Sequence, residues 1–552
     1  MGALAQIEKP ARLFGSVRHA RLFVATLLAA ILLGCKPGGG CSGEYCGTLV
    51  IAAPGEPDIL LPPLTQAAIG RDVGDQLFLK LADVGMSVNT VEDADFTPQL
   101  AQRWEWQDPL TLTFHLDPRA RWHDGERVTA SDVAFTFESY TDSSLHSRIR
   151  PLLREIASVR AHDSLTVVFQ FRSHYAEMFY DAVYHMRILP AHVLRLVPRS
   201  GWHDAPFGRQ PVGSGPYRFV SWKAGESVEL AADSTFFLGR PHLRRLIWRF
   251  TPNLQVAVTQ VIAGEADAIE VLGPPDNIQR ARGSAGLTTY AYPGAVYGYV
   301  AFNLRANGDS TVPHPVFGNR LTRQAIVMAL DRKAMLTNVW GDLAEVPPGP
   351  VPRMWWIWDE APPAVPYDSA QAARLLSRGA VSFRLLVPTT SGLRRQYARL
   401  IQEQLRKVRV DVQIDEVDMS VMQERSGTGH FDAVIQAWTT GPSPVAGTLQ
   451  SWTRQGFGGT NLGRYDNPKV DRLIQTASQA GNRADAARAW RRALELLSAD
   501  APAAFLYAPD NVAAINRRVQ DVAIRPDSWL ALVRTWRIPA QQLTDRDRAD
   551  AR

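Results

Sequence analysis

The sequence predicts a mixed α/β chain behind an export leader. Three observations carry this. Several short segments alternate apolar and polar residues with period two, others repeat apolar residues at helical spacing, and a basic then apolar stretch precedes them all. The 552 residues carry 60 Lys+Arg against 55 Asp+Glu and are 45% hydrophobic and 21% charged. Those are globular proportions. They exclude a wholly disordered, collagen-like or disulfide-scaffold chain, and the length allows roughly two to four domains.

The leader comes first. Lys9, Arg12, Arg18 and Arg21 face only Glu8, and the apolar run LFVATLLAAILLG follows at 22–34. This run is too short for a bilayer, which needs about 20 residues, so the pattern is an export signal over residues 1–34 rather than a membrane span. Leu32-Leu33-Gly34-Cys35 resembles the bacterial lipobox. The resemblance implies that Cys35 is acylated and becomes the first residue of the mature chain. Lys36 stands where an inner-membrane retention signal would carry Asp, which points to the outer membrane in a cell that has one. The Gly-rich residues 35–46 suit a flexible tether. Cys41 and Cys46 lie within it, outside a reducing compartment, and are expected to form a small disulfide; no His lies near enough in sequence to suggest a metal pair. Removal of the leader takes +3 of the formal +5 charge with it. The basic balance is therefore mostly an export feature. The remaining Arg residues are spread along the chain without a basic stripe, so no nucleic-acid partner is expected.

The body reads as strands and helices without repeats. Leu112, Phe114 and Leu116 alternate, as do Leu165, Val167, Phe169 and Phe171, and Val408, Val410, Val412 and Ile414 alternate with Arg409, Asp411, Gln413 and Asp415. These are half-buried strands, and the charges of the last form its wet face. Tyr397, Leu400, Ile401 and Leu405 share one helical face, as do Trp490, Ala493, Leu494 and Leu497. Residues 321–336 read as one helix starting near Asn319 or Thr322. The helix at 394–407, the strand at 408–415 and a strand at 431–438 make an α/β unit. Residues 347–366 and 441–444 are loops, and 539–552, lacking an apolar face, is expected to be a disordered tail.

No enzyme chemistry emerges. There is no P-loop, HExxH, GxSxG or CxxC pattern; VGSGPY at 212–217 has the wrong spacing, and Gly38, Gly40 and Gly43 fit GxGxxG only inside the tether. His115 and His123 flank a turn and read as solvated or core residues. No cofactor or metal is implied. The chain is instead rich in Trp, 15 in all, with Trp355, Trp356 and Trp358 in one loop, suited to core packing or to a recognition surface.

Several blocks, in order, resemble the family 5 extracytoplasmic solute-binding proteins, which serve importers of dipeptides, oligopeptides and nickel. They are Pro98-Gln99-Leu100-Ala101 with Trp104; Trp122-His123-Asp124-Gly125 through Thr129-Ala130-Ser131-Asp132-Val133; GSGPY at 213–217; VIAGEADAIEV at 261–271; YGYVAFNL at 297–304 with RLTRQAIVMALDR at 320–332; YDSAQAARLL at 367–376; and NLGRYDNPKVDRLIQTA at 461–477. Asp124-Gly125 suits a tight turn, and Ser131 or Asp132 suits a helix start. The resemblance spans roughly 47–535. It implies the two-lobe periplasmic-binding-protein fold of the large peptide-binding type, with lobe I at 47–301 and 505–538, lobe II at 302–504, and a hinge near YVAFNL and AAFLYA. It further implies a monomer that captures a peptide or other small solute between the lobes and delivers it to an ABC permease with its ATPase subunits. A receptor or chaperone lipoprotein would use the same fold.

The family's peptide binders place an Asp three residues after a lobe II Trp to meet the ligand's α-amino group. Here the text is Trp438-Thr439-Thr440-Gly441, so Gly441 occupies the acid's place. The resemblance makes Trp438, Thr439, Thr440 and Gly441, with Thr65 and Gln66 from lobe I, the candidate ligand residues. Two readings stay open: a peptide held by other groups, or a solute without a free amine, such as an oligosaccharide, a nickel chelate or an opine. Arg394 or Arg395 could reach an anionic group.

Overall fold

A computed structural model describes residues 45–377, 379–457 and 459–548. The leader, Cys35 and Cys41 lie outside them. Cys46 is fully buried and disulfide-bonded. Tyr45 already belongs to the body: its ring stacks on His242 at 5.3 Å, and the Arg240 guanidinium lies 4.6 Å from its centroid.

Among the described residues, one 12-stranded sheet runs through the body. Its order is Val410–Val417, Val381–Pro388, Ala433–Thr439, Val296–Phe302, Ala503–Asn516, Ala268–Ile269, Thr48–Ala53, Arg245–Phe250, Ser227–Ala232 and Tyr217–Lys223, with Leu287–Pro293 and Ala344–Glu345 also paired to Ala503–Asn516. Thr48–Ala53 is buried at every residue and runs parallel to Arg245–Phe250, as a strand covered on both faces should. The alternating segments around 112 and 167 form a separate four-stranded antiparallel sheet in which Leu112 opposes Phe169 and Phe114 opposes Val167. Val410–Val417 is an edge strand with Asp411 and Gln413 exposed. It starts two residues later than its alternation suggests, because Arg409 takes a φ of +62° to leave the preceding helix, Gly392–Arg406.

Other sequence expectations need correction. The helix expected over 321–336 is two helices. Asn319 caps Arg320–Met328, and Asp331 caps Arg332–Val339 by accepting from the Ala334 N–H at 3.0 Å. The break places buried Arg332 so that its Nη1 donates to the Phe505 carbonyl at 3.0 Å. The helix Ala130–Thr141 is capped by Thr129, not Ser131 or Asp132; Asp132 closes a capping box by accepting from the Thr129 N–H at 2.8 Å. The tail from 539 is not disordered up to residue 548. Asp547 is fully buried, accepts from the Thr48 N–H at 2.7 Å, and pairs with Arg518 at 2.6 Å. Arg518 also holds buried Asp267 at 2.7 Å, and Asp267 accepts from the Val50 N–H at 2.9 Å. Charge pairing fixes a segment that has no apolar face of its own.

Two strands join the two halves of the sheet. Residues 510–516 of the strand Ala503–Asn516 pair with Leu287–Pro293, whereas residues 503–507 pair with 298–301. Val296–Phe302 pairs along its other edge with Ala433–Thr439. The strand pairing thus changes partners at 293–296 and 508–510. The cores follow this division, with Val88, Val91, Ala176 and Leu343 crossing it. At the crossing the two strands approach so closely that no side chain fits. A Cβ on Gly294 would stand 2.3 Å from the Pro509 carbonyl oxygen, and one on Gly298 would stand 2.1 Å from the Tyr507 ring.

Gly298→Ala should therefore lower unfolding stability by about 1–3 kcal/mol through overpacking. Adding Tyr507→Ala should leave Gly298→Ala nearly neutral. Urea unfolding of the two singles and the double measures this coupling.

Candidate functional site

The strand Ala433–Thr439 carries Trp438 and Thr439, and the loop that follows carries Thr440 and Gly441. Trp438 lies opposite Tyr297 on the crossover strand and is partly buried. Thr439 and Gly441 are exposed. The Thr440 N–H donates to the Ala295 carbonyl at 3.0 Å, tying the loop to the point where the chain crosses between bodies. Trp355 Nε1 donates to the Gly441 carbonyl at 2.7 Å, and a Cβ on Gly447 would lie 2.8 Å from the Trp355 ring. Trp355 is thus a buried wedge that shapes this loop. A Cβ on Gly441 would have no neighbouring atom within 4 Å; space for an acid exists there, and the acid is absent.

Thr65 and Gln66 lie on a different loop and are committed to it. The Thr65 hydroxyl lies 2.9 Å from the Ile59 carbonyl and 3.1 Å from the Leu61 carbonyl, and the Gln66 N–H donates to Asp58 at 2.7 Å. Their hydrogen bonds run to residues 58–71 and not to the Trp438 loop. The Gln66 Oε1 is buried without a partner.

The chemistry missed in the sequence is a set of half-buried acids. Asp72, on the helix Ala68–Leu77 that follows the Thr65 loop, is pushed well above its ordinary range by burial and then by the charges of Glu270 and Asp75. Burial raises Glu270 as well, with Arg71 pulling it back. Trp529 Nε1 lies 3.4 Å from Asp72, and the Tyr292 hydroxyl, hydrogen-bonded to Asn511, lies beside these acids. Asp75 differs because it is paired with Arg187. Across the crossing, Arg394 has a buried Nη1 with no partner and acts on the hydroxyls of Tyr299 and Tyr507. Isolated polar letters in the sequence gave no sign of these groupings, which join positions up to 457 residues apart.

The two bodies touch around a third acid. Glu177 is 6% exposed and accepts from the Thr90 hydroxyl at 2.6 Å and from the Ser443 hydroxyl at 2.6 Å, the latter two residues past Gly441. Beside it the Ala176 N–H donates to the Ser478 carbonyl at 2.9 Å and the Arg483 N–H to Glu92 at 3.3 Å. A cavity of about 460 Å³ opens at this seam between Glu92, Trp106, His174 and Phe179 on one side and Ala480 and Gly481 on the other.

His115 and His123 have structural partners. His115 meets exposed Glu105 at 3.2 Å. Burial holds His123 below its ordinary value, so its neutral ring accepts from the Gly213 N–H at 3.2 Å through Nδ1 and donates to the Gly215 carbonyl at 3.0 Å through Nε2.

A family model described as bacterial extracellular solute-binding proteins, family 5 middle, matches residues 95–459. The chain belongs to this family. Oligopeptide-binding protein AppA of Bacillus subtilis is 24% identical over 517 residues, covering 89% of this chain and 91% of that one. The structure of that protein with a nonapeptide superposes with a TM-score of 0.69 at 23% identity, over 90% of this chain and all of the other. The ABC transporter substrate-binding protein CtaP of Listeria monocytogenes gives a TM-score of 0.78 at 20% identity, again over 90% of this chain and all of that one. NikZ of Campylobacter jejuni, solved with a nickel–histidine complex, gives 0.69 at 21% identity over the same shares. The family fold is thus the two-lobe one, and its members bind solutes rather than transform them.

Two adjacent half-buried acids that must ionise are a stability liability at high pH. Their ordinary values lie near 4, so folding loses stability as pH rises above that range toward their raised values. Asp72→Asn should raise the melting temperature at pH 8 by several degrees while changing it little at pH 5, as thermal unfolding at the two pH values would show.

Proposed function

We propose that this chain is an exported, lipid-anchored solute-binding protein that closes its two lobes on a peptide or similar small solute and hands it to an ABC permease. In this reading lobe I comprises about 48–293 and 510–548, and lobe II about 296–508. The observation that carries it is the crossover itself: two antiparallel strands join bodies with separate cores, and each body brings polar and aromatic groups to the seam between them. Closure by a hinge buries a ligand, and the ligand's binding energy then shifts the open–closed balance. Trp438 offers a large partly buried face for stacking, and Thr439 offers a free hydroxyl. Thr440 and Gly441 contribute the backbone that frames them. Thr65 and Gln66 hold the opposite loop, and the unpaired Nη1 of Arg394 would meet an anionic group of the solute.

The empty space at Gly441 favours a second reading. A buried ammonium needs a carboxylate, and this loop has none. The solute then lacks a free amine, and a chelate or an oligosaccharide fits. Native mass spectrometry of freshly purified protein separates the two by the mass of any solute that stays bound; a peptide ladder supports the first, a single metal complex or sugar the second.

The anchor is proposed on the lipobox text ending at Cys35. Cys41 and Cys46 are proposed as the disulfide pair, since acylation of Cys35 leaves Cys41 as the one remaining partner for the bonded Cys46. Cys35→Ala should move the protein from the membrane fraction to the soluble fraction, read by fractionation and immunoblot. Trp438→Ala should weaken solute binding by about 1–3 kcal/mol, measured by calorimetry at a temperature where the solute-free variant stays folded.

A further inference from the structure

We infer that Glu177 is a proton-sensitive latch between the lobes: closure traps its carboxyl between Thr90 of lobe I and Ser443 of lobe II, and opening returns it to water. The inference deepens the solute-binding reading, because it names what regulates closure.

The geometry is that of a clasp. Glu177 Oε1 receives the Thr90 hydroxyl from its own lobe, and Oε2 receives the Ser443 hydroxyl from the other, each at 2.6 Å. Ser443 is also the cap of the helix Pro444–Trp452, accepting from the Ala446 N–H at 3.2 Å, so a pull on Ser443 is a pull on that helix and on the Gly441 loop before it. The flanking contacts Ala176 to Ser478 and Arg483 to Glu92 are backbone donors that must part in the same motion. Ala176, next in sequence to Glu177, packs with Val88 and Val91 into the lobe II core.

Among the described residues, no cation acts on the Glu177 carboxyl; the charge that does is Asp181. On its own side the nearest charge is Asp181, which already accepts from Tyr175 at 2.8 Å and from His185 at 3.0 Å. The phenols of Tyr175 and Tyr180 also face it. From the 88–93 segment the charged groups are Glu92 and Asp93; the latter accepts from Trp104 at 3.0 Å. From lobe II the charged group is Arg483, whose guanidinium lies 4.9 Å over the Trp356 ring. Burial, then Asp181, pushes the Glu177 carboxyl up to about 8, against the pull of the Ser443 and Thr90 hydroxyls. Protonated, it donates to one hydroxyl and accepts from the other, so the clasp remains satisfied.

The sign follows. The ordinary value for a glutamate in water, about 4.3, applies to the open form. Between that value and about 8 the closed form holds a proton that the open form has lost. Closure is favoured in acid and weakens about tenfold for each pH unit through this window. Glu177→Gln keeps the size and hydrogen bonds of the neutral acid and cannot ionise, so its closure should not respond to pH through this site.

The test uses solute-free protein, so it does not depend on finding the solute. Small-angle X-ray scattering and amide hydrogen exchange at residues 440–448 would be measured at pH 5.5 and pH 8.0 for the wild type and for Glu177→Gln. The latch predicts a larger radius of gyration and faster exchange of the wild type at pH 8.0, with Glu177→Gln compact at both. Equal responses in the two proteins, or no response in the wild type, overturn it. A Glu177→Ala variant open at both pH values supports the clasp, and one as compact as Glu177→Gln at both rejects it. Failure of the wild type to bind any peptide or chelate at either pH would count against the solute-binding reading while leaving the latch result standing.

Discussion

The backbone of Ala503–Asn516 is shared between two bodies. Its first residues complete the sheet of one lobe through Val296–Phe302, and its last complete the other through Leu287–Pro293 and Ala268–Ile269. A buried strand cannot leave its N–H and C=O groups unpaired, so both lobes must form their sheets on this one segment. That fixes where bending is possible. Residues 508–510 and 294–295 are where the ladder changes partners, and Arg353 clamps the same place by pairing with Asp510 at 2.7 Å and Glu345 at 2.8 Å. Each side of this point is a continuous sheet with its own core.

The blocks that mark the family mostly hold backbone rather than solute. In GSGPY, a Cβ on Gly213 or Gly215 would collide with the Leu77 or Gln76 carbonyl oxygen at 1.9 and 2.4 Å, and the N–H groups of Ser214 and Gly215 donate to the Leu77 carbonyl. His123 of the WHDG block closes onto the same turn. Arg323 spends its guanidinium on the carbonyls of Phe317, Asp500 and Ala501, and Asn303 bonds the carbonyls of Gly429 and Phe431. Asp267 of the GEADA block anchors Arg518 and the N-terminal strand. Buried polar groups of this kind are costly unless each finds a partner. That makes the blocks readable in one sequence and at the same time silent about the solute.

The candidate site was legible only in part. Trp438 through Gly441 could be placed because they close a strand with a recognisable alternation and sit at a fixed offset from the family's text. Thr65 and Gln66 could be placed on their loop, but their hydrogen bonds are spent within it, which no local pattern announces. Glu177 carries no motif. It looks like a surface residue at the start of a short helix, and only the approach of the other lobe's Ser443 buries it. Trp355 was visible as one of a cluster of three, yet its task of holding the Gly441 carbonyl depends on a contact across 86 residues.

Sequence alone determined the class of the fold, the alternating strands at 112, 167 and 410, and the family, because each is written in local periodicity or in ordered short blocks. It did not determine the break at Asp331, the docking of the tail through Asp547, or the crossing points at 293–296 and 508–510. Each of those is decided by partners far away in the chain: a carbonyl on Phe505, a guanidinium on Arg518, a choice between two sheets. The same reason separates the anchor from the latch. The missing acid at Gly441 is a fact of the text, whereas the acid that reaches that loop belongs to the opposite lobe, and only tertiary structure brings a carboxyl and a hydroxyl from 266 residues apart to within 2.6 Å.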